Sequence, residues 1–121
     1  MLTLSLTLSL TLTCFLTSVI DGDTLRADCP QDERIRIANI DAPEPATCPR
    51  QAALATEYLR IIAPARFTVE VLYRDRYGRI VGIVRDRWGG NLGNLMLGTG
   101  SVQPWPHDKN GRALAPRPRG C

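Results

Sequence analysis

At 121 residues the chain has room for one domain with its own core, and not for two. Its 44% apolar and 22% charged residues are ordinary for a globular protein. A net charge of +3 is too small to argue a polyanionic partner by itself. That charge matches the balance of the segment from His107 onward, where Lys109, Arg112, Arg117 and Arg119 face only Asp108. A basic, Pro-rich tail of this kind reads as a solvated end before it reads as a grip on nucleic acid.

The first twenty residues carry no charged side chain, and Leu alternates with Thr or Ser from Leu2 to Leu12. The period of two suggests a strand, but one running from Leu2 to Ile20 exceeds the usual ~3–10 residues. Ser and Thr fill nearly half the places, too many for a membrane helix. An export signal lacks both its leading positive charge and its small-residue cleavage site. Residues 1–13 are therefore expected to be a poor export signal or a loose extension, with a structural strand over residues 11–20.

Asp21-Gly22 reads as a two-residue hairpin turn with Gly22 at positive φ, followed by a strand from Thr24 to Asp28. "ERIRIANI" (33–40) alternates as a third strand. "DAPEP" (41–45) is a loop, because its two prolines forbid continued pairing. A helix starts near Pro49, with Ala52, Ala55, Tyr58, Leu59 and Ile62 on one face, and ends before Pro64. "RFTVEVLY" (66–73) and "IVGIVRD" (80–86) are strands joined by the "RDRYGR" turn, and a short helix fits residues 91–97. Three strands, a helix, two strands and a helix suggest a mainly β fold, a small Greek-key barrel of the OB type. The domain spans residues 14–103, and residues 104–121 form a Pro/Arg-rich tail.

Asp23 follows the first turn, Asp41 and Glu44 occupy the Pro-stiffened loop, Arg36 lies on the third strand, and Arg79 follows the "RYG" turn. In one barrel these groups converge from three segments. Carboxylates gathered at one spot repel each other unless a hard divalent cation relieves them. Two arginines beside them oppose simple metal storage, but suit a phosphate arriving between metal and guanidinium groups. A remaining carboxylate then takes a proton from attacking water. The set reads as metal-assisted phosphodiester hydrolysis.

"VIDGDTL", "RIRIANIDAPE" and "DRYGR", in that order and with a helix between the second and third, closely resemble the staphylococcal-nuclease-like (thermonuclease) family. The resemblance covers roughly residues 14–103. It implies a five-stranded OB barrel and a Ca²⁺-dependent endonuclease acting on DNA and RNA without a covalent intermediate. It implies Asp23, Asp41 and the carbonyl of Ala42 as calcium ligands. By the same resemblance Glu44 orients or activates water, and Arg36 and Arg79 hold the scissile phosphate. Arg76 and Tyr77 stand where the family has a phosphate contact and an aromatic lining the nucleotide site. Two features depart from the pattern. Ala42 replaces a common Thr, and "PWPHDKNGRALAPRPRGC" replaces a long third helix.

Each residue also has a plainer reading. Asp21 serves the turn, Arg34 covers a solvent face, His107 is idle, and Trp105 packs down on the barrel or offers a stacking face. The rival function is a non-catalytic OB module that binds nucleic acid or a partner. Such a module would favour several exposed aromatics over the full ionic set, and this chain has only seven aromatics. Single-stranded DNA or RNA is the expected substrate, the monomer the expected state, and no protein partner is evident. Counting outward from an Asp21-Gly22 turn brings Cys14 opposite Cys29, and leaves Cys48 and Cys121 as a second pair. Two disulfides point to an exported, periplasmic or secreted protein; without a C-x-x-C, zinc is not expected.

Overall fold

Every strand expected from the alternating apolar residues is present in the computed structural model, which describes residues 9–106 and Cys121. In chain order the elements are β1 (Leu10–Asp21), β2 (Thr24–Asp28), β3 (Asp32–Ile37), β4 (Ile40–Asp41), α1 (Pro49–Ile62), β5 (Arg66–Arg74), β6 (Ile80–Arg85), α2 (Leu92–Gly98) and β7 (Gln103–Pro104). Five strands close into a barrel in the order β1-β2-β3-β6-β5, with β5 pairing back onto β1. β3 and β6 run parallel and the other barrel pairs antiparallel. This is a mainly β, OB-type barrel, and closure leaves none of the five with a free edge.

Inward-facing Leu25, Ile35, Ile37, Phe67, Val69, Ile80 and Val84 fill the barrel. Ala55 and Leu59 of α1 and Leu92 and Met96 of α2 join the same core. α1 takes Pro49 in its first turn and ends at Ile62, with Ala63 as its C-cap before Pro64. α2 is capped by Asn91, whose side chain accepts from the Asn94 N–H at 3.0 Å. No helix among the described residues is long and apolar enough to cross a membrane.

Five details differ from the expectations drawn from the sequence. β1 begins at Leu10, so residues 10–13 are barrel strand and not part of an extension. Its twelve residues exceed a usual strand because one half pairs with β5 and the other with β2. Residues 1–8, and the tail over 107–120 with His107, lie outside the described residues. Strand "ERIRIANI" breaks after Ile37, and Ile40–Asp41 pairs instead with Gln103–Pro104.

The first hairpin holds the other three. Its turn residues are Gly22 and Asp23, flanked by the Asp21↔Thr24 pair, one place later than expected. Two bulges in β1 then shift the register until Phe15 faces Asp28. Cys14 and Cys29 are therefore adjacent after all, 4.3 Å apart by Cα, and bridged. The pair is the expected one, but bulges deliver it. Cys48 and Cys121 are also bridged, 5.5 Å apart by Cα, so all four cysteines are paired.

Gly22, finally, does not have the positive φ expected of it. It is required for space: a Cβ there would sit 2.6 Å from the Ala55 Cβ and 3.0 Å from the Ala42 Cβ. The small residues of α1 and of the loop after β4 close directly over this turn. Gly22→Ala is therefore predicted to destabilise the fold by about 1–3 kcal/mol through overpacking. A lowered urea midpoint with an unchanged slope tests this, and an unchanged midpoint contradicts it.

Candidate active site

Asp23 stands in the β1–β2 turn with only 8% of its surface exposed. Both carboxylate oxygens are held: Oδ1 accepts from the Thr24 hydroxyl at 2.9 Å and Oδ2 from the Ala42 N–H at 2.9 Å. This second bond pins the loop after β4 onto the turn. The neighbouring Asp21 accepts from the Asp23 N–H at 3.1 Å, the turn role expected of it.

Arg36 sits on β3 and is 7% exposed. Its Nη1 donates to the carbonyls of Ile37 and Ile40, at 2.6 and 2.7 Å. Those two bonds gather the backbone just where β3 ends and β4 begins, which is why the predicted long strand breaks there. Its Nη2 stands 3.4 Å from Asp23 Oδ2 and 3.6 Å from Asp41 Oδ1. These are charge contacts longer than an ordinary hydrogen bond of about 2.9 Å, so donors remain for a ligand. The Trp105 ring covers the guanidinium at 4.8 Å.

On the other side, the β5–β6 turn is braced by its own ion pairs. Arg79 Nε donates to Asp75 Oδ2 at 2.7 Å, which fixes the guanidinium through one nitrogen. Burial pushes the Asp75 carboxyl up, but hydrogen bonds from the Arg79 side chain and backbone outweigh it and hold it below the ordinary range. Arg74 grips Glu33 through two nitrogens at 3.0 and 2.8 Å and the Gly78 carbonyl at 2.8 Å. Arg34 donates to the Tyr77 carbonyl, so it ties β3 to the turn instead of merely covering a solvent face. Arg76 donates to the Tyr77 hydroxyl at 2.7 Å and lies over its ring.

All eight candidate residues line one cavity of about 380 Å³: Asp23, Arg36, Asp41, Ala42, Glu44, Arg76, Tyr77 and Arg79. Asp21, Pro43, Pro45 and Trp105 complete its wall. A neighbouring cavity of about 190 Å³ shares Arg36, Arg76, Tyr77, Arg79 and Trp105, and adds the apolar surfaces of Ala38, Tyr73 and Val81. Glu44 is exposed, and no hydrogen bond or ion pair from a described residue engages its carboxylate. Its backbone carbonyl takes the N–H groups of Thr47 and Cys48 at 3.2 and 2.8 Å, which anchors the loop to the start of α1.

Gln103 escaped the sequence reading. Its side chain donates to Asp41 Oδ2 at 3.0 Å, and β7 holds it directly opposite Asp41. A two-residue strand containing Pro gives no periodic signal. Trp105 packs as expected, and what it packs on is the charged face of Arg36. The backbone N–H of Trp105 also donates to the Asn39 carbonyl at 2.9 Å.

Among the described residues no three Asp, Glu, His or Cys side chains form a cage for a metal ion. An ion here would draw on backbone and solvent oxygens besides Asp23 and Asp41, as hard oxygen-loving cations do. The charge pattern suits one. Burial is the largest effect on Asp23; Arg36 opposes it, Asp21 adds to it and the Ala42 N–H opposes it, with a net rise from 3.8 to about 6.

No family model matches the chain. Among curated proteins it is 36% identical over 93 residues to one named an uncharacterised endonuclease from Escherichia coli, and 34% identical over 93 residues to one of the same name from Escherichia coli O157:H7. It is also 34% identical over 109 residues to endonuclease YhcR of Bacillus subtilis (strain 168). These matches take in 75%, 75% and 74% of the chain. The chain spans 58% of the length of each Escherichia protein and 9% of the Bacillus one.

The Asp23 shift predicts a pH dependence of the metal-free fold. A carboxyl raised on folding binds more protons in the folded state, so its contribution falls as pH rises from about 4 to about 6 and is level above that. The difference in stability between wild type and Asp23→Asn, measured by urea unfolding in chelator, should therefore move in favour of the variant across this window. A difference constant with pH contradicts the burial of an ionisable Asp23.

Proposed function

We propose that the chain is a Ca²⁺-dependent nuclease of the staphylococcal-nuclease-like type, hydrolysing phosphodiester bonds of DNA or RNA within the strand. One observation carries the reading. Two guanidinium groups, each braced through a single nitrogen and left with donors to spare among the described residues, line the same cavity as Asp23, Asp41 and Glu44, whose carboxylate no described residue engages. The three relatives named as endonucleases support it. The site also lies where OB barrels take nucleic acid, at the first hairpin turn and the turn between the last two barrel strands.

Asp23, Asp41 and the Ala42 carbonyl would hold the ion, which when bound neutralises phosphate charge and favours ionisation of water. Arg36 and Arg79 grip the phosphate oxygens by their free N–H forks and counter the charge that grows on them. Glu44 accepts the proton of the attacking water. Gln103 fixes the Asp41 carboxylate, and Trp105 holds Arg36 in plane. Arg76 and Tyr77 border the cleft where a neighbouring phosphate and sugar pass. The adjoining apolar cavity, with Tyr73 and Trp105, offers a face for an unpaired base, which favours single strands. Two disulfides accord with an exported protein acting as a monomer.

Separable variants test the roles. Glu44→Gln should lower turnover about 10²–10⁴-fold while calcium and nucleotide binding persist. Asp23→Asn should weaken calcium binding and rate together, whereas Asp21→Asn keeps most activity. Arg36→Lys and Arg79→Lys should each cut the rate, because a point charge replaces a fork. Calcium titrations and initial cleavage rates decide. If Glu44→Gln cleaves at the wild-type rate, Glu44 is not the base.

A further inference from the structure

A second cationic surface stands apart from the candidate active site. A cavity of about 350 Å³ is lined by Arg66, Arg85, Arg87 and Asp86, with Thr68 and Gly89. Between Arg87 and Gly89 lies Trp88, 79% exposed, with the Arg87 guanidinium over its ring at 4.3 Å. Phe15, opposite Arg66 in the β1–β5 pair, is 54% exposed. Arg66 and Arg87 have no carboxylate partner among the described residues, and Arg85 stands 3.6 Å from Glu70.

The turn that displays Trp88 is rigid. Asp86 Oδ1 accepts from the N–H groups of Trp88 and Gly90 at 2.9 and 2.8 Å, and the Asp86 N–H bonds the Gly90 carbonyl at 2.9 Å. The Arg85↔Asn91 bridge closes the turn below. Asp86, the one acid among the described residues of the cavity wall, gives its Oδ1 to two of these main-chain N–H groups. What remains outward is the Trp88 face with the Arg87 guanidinium over it, beside a cavity lined by Arg66, Arg85 and Arg87. A ligand with flat rings and regularly spaced negative charges matches it.

From Arg66 to Arg74, at ~3.3 Å per residue, the β5–β6 hairpin is roughly 26 Å long. Its far end carries Arg76, Tyr77 and Arg79 of the candidate site. We propose that Arg66, Arg85, Arg87 and Trp88 form a second contact for a polynucleotide, taking an unpaired stretch of the same strand that enters the active site. This rests on the nucleic-acid reading of that site. A strand held at one end meets the other at high effective concentration, so the contact selects long substrates over short ones.

The test compares wild type with the combined Arg66→Ala, Arg87→Ala, Trp88→Ala variant on single-stranded DNA of about 4 and about 30 nucleotides, since one OB fold covers ~4–16. All three changes are at exposed positions outside the catalytic cavity. The variant should raise KM at least about fivefold on the long DNA, the loss of one stacked base, with kcat and short-substrate KM unchanged. Binding of labelled long DNA in chelator should weaken alike. Cleavage with an unchanged long-substrate KM overturns the second contact and leaves the nuclease reading intact. Equal loss on both lengths also overturns it, as does capture of a protein by the patch with DNA binding unaltered. A wild type that does not cut, yet binds long DNA through these residues, upholds the contact and overturns the nuclease reading.

Discussion

One buried guanidinium organises the functional end of this barrel. Arg36 spends Nη1 on two backbone carbonyls, which folds β3 into β4, and sets Nη2 between Asp23 and Asp41. β4 can then pair with β7, and that pairing delivers Gln103 to Asp41 and Trp105 to the guanidinium face. Asp23 closes the circuit by taking the Ala42 N–H. A turn, a loop and a distant two-residue strand thus depend on a single charged side chain.

Such a cluster is a poor way to gain stability. Desolvating buried charges offsets much of their attraction, and an apolar replacement of the same shape is often as stable. Here the balance is worse, because two carboxylates face one arginine and Asp23 is pushed up to about 6 by burial. The fold is held elsewhere, by the apolar barrel interior, by the closed strand ladder and by a disulfide across β1 and β2. A strained ionic cluster on a well-supported frame is what a binding site for an ionic ligand requires.

Most of the barrel was legible because its strands are half-buried and alternate, and because Pro49 and Pro64 mark the helix ends through fixed local chemistry. All eight candidate residues reach one cavity, since their motifs fall at strand ends that the barrel gathers. Register was less legible. The two bulges in β1 have no sequence signature, and Cys14 met Cys29 only because two shifts compensated a turn placed one residue early. Gly22 was misread, because close approach of Ala55 and Ala42 is a tertiary fact that a dipeptide does not announce. β4 and β7 were invisible for a related reason: two residues carry no period, and Gln103 has no chemistry until Asp41 is beside it. Arg34, exposed and charged, gave no sign that a carbonyl 43 residues away would receive it.

We propose the Asp23–Arg36–Asp41 cluster as a calcium and phosphate site. It is tested most directly by incubating the pure protein with single-stranded DNA in Ca²⁺ and, in parallel, in excess chelator. Fragments accumulating with Ca²⁺ and absent with chelator are the predicted result. Equal cleavage in both, or intact DNA in both, would contradict the account.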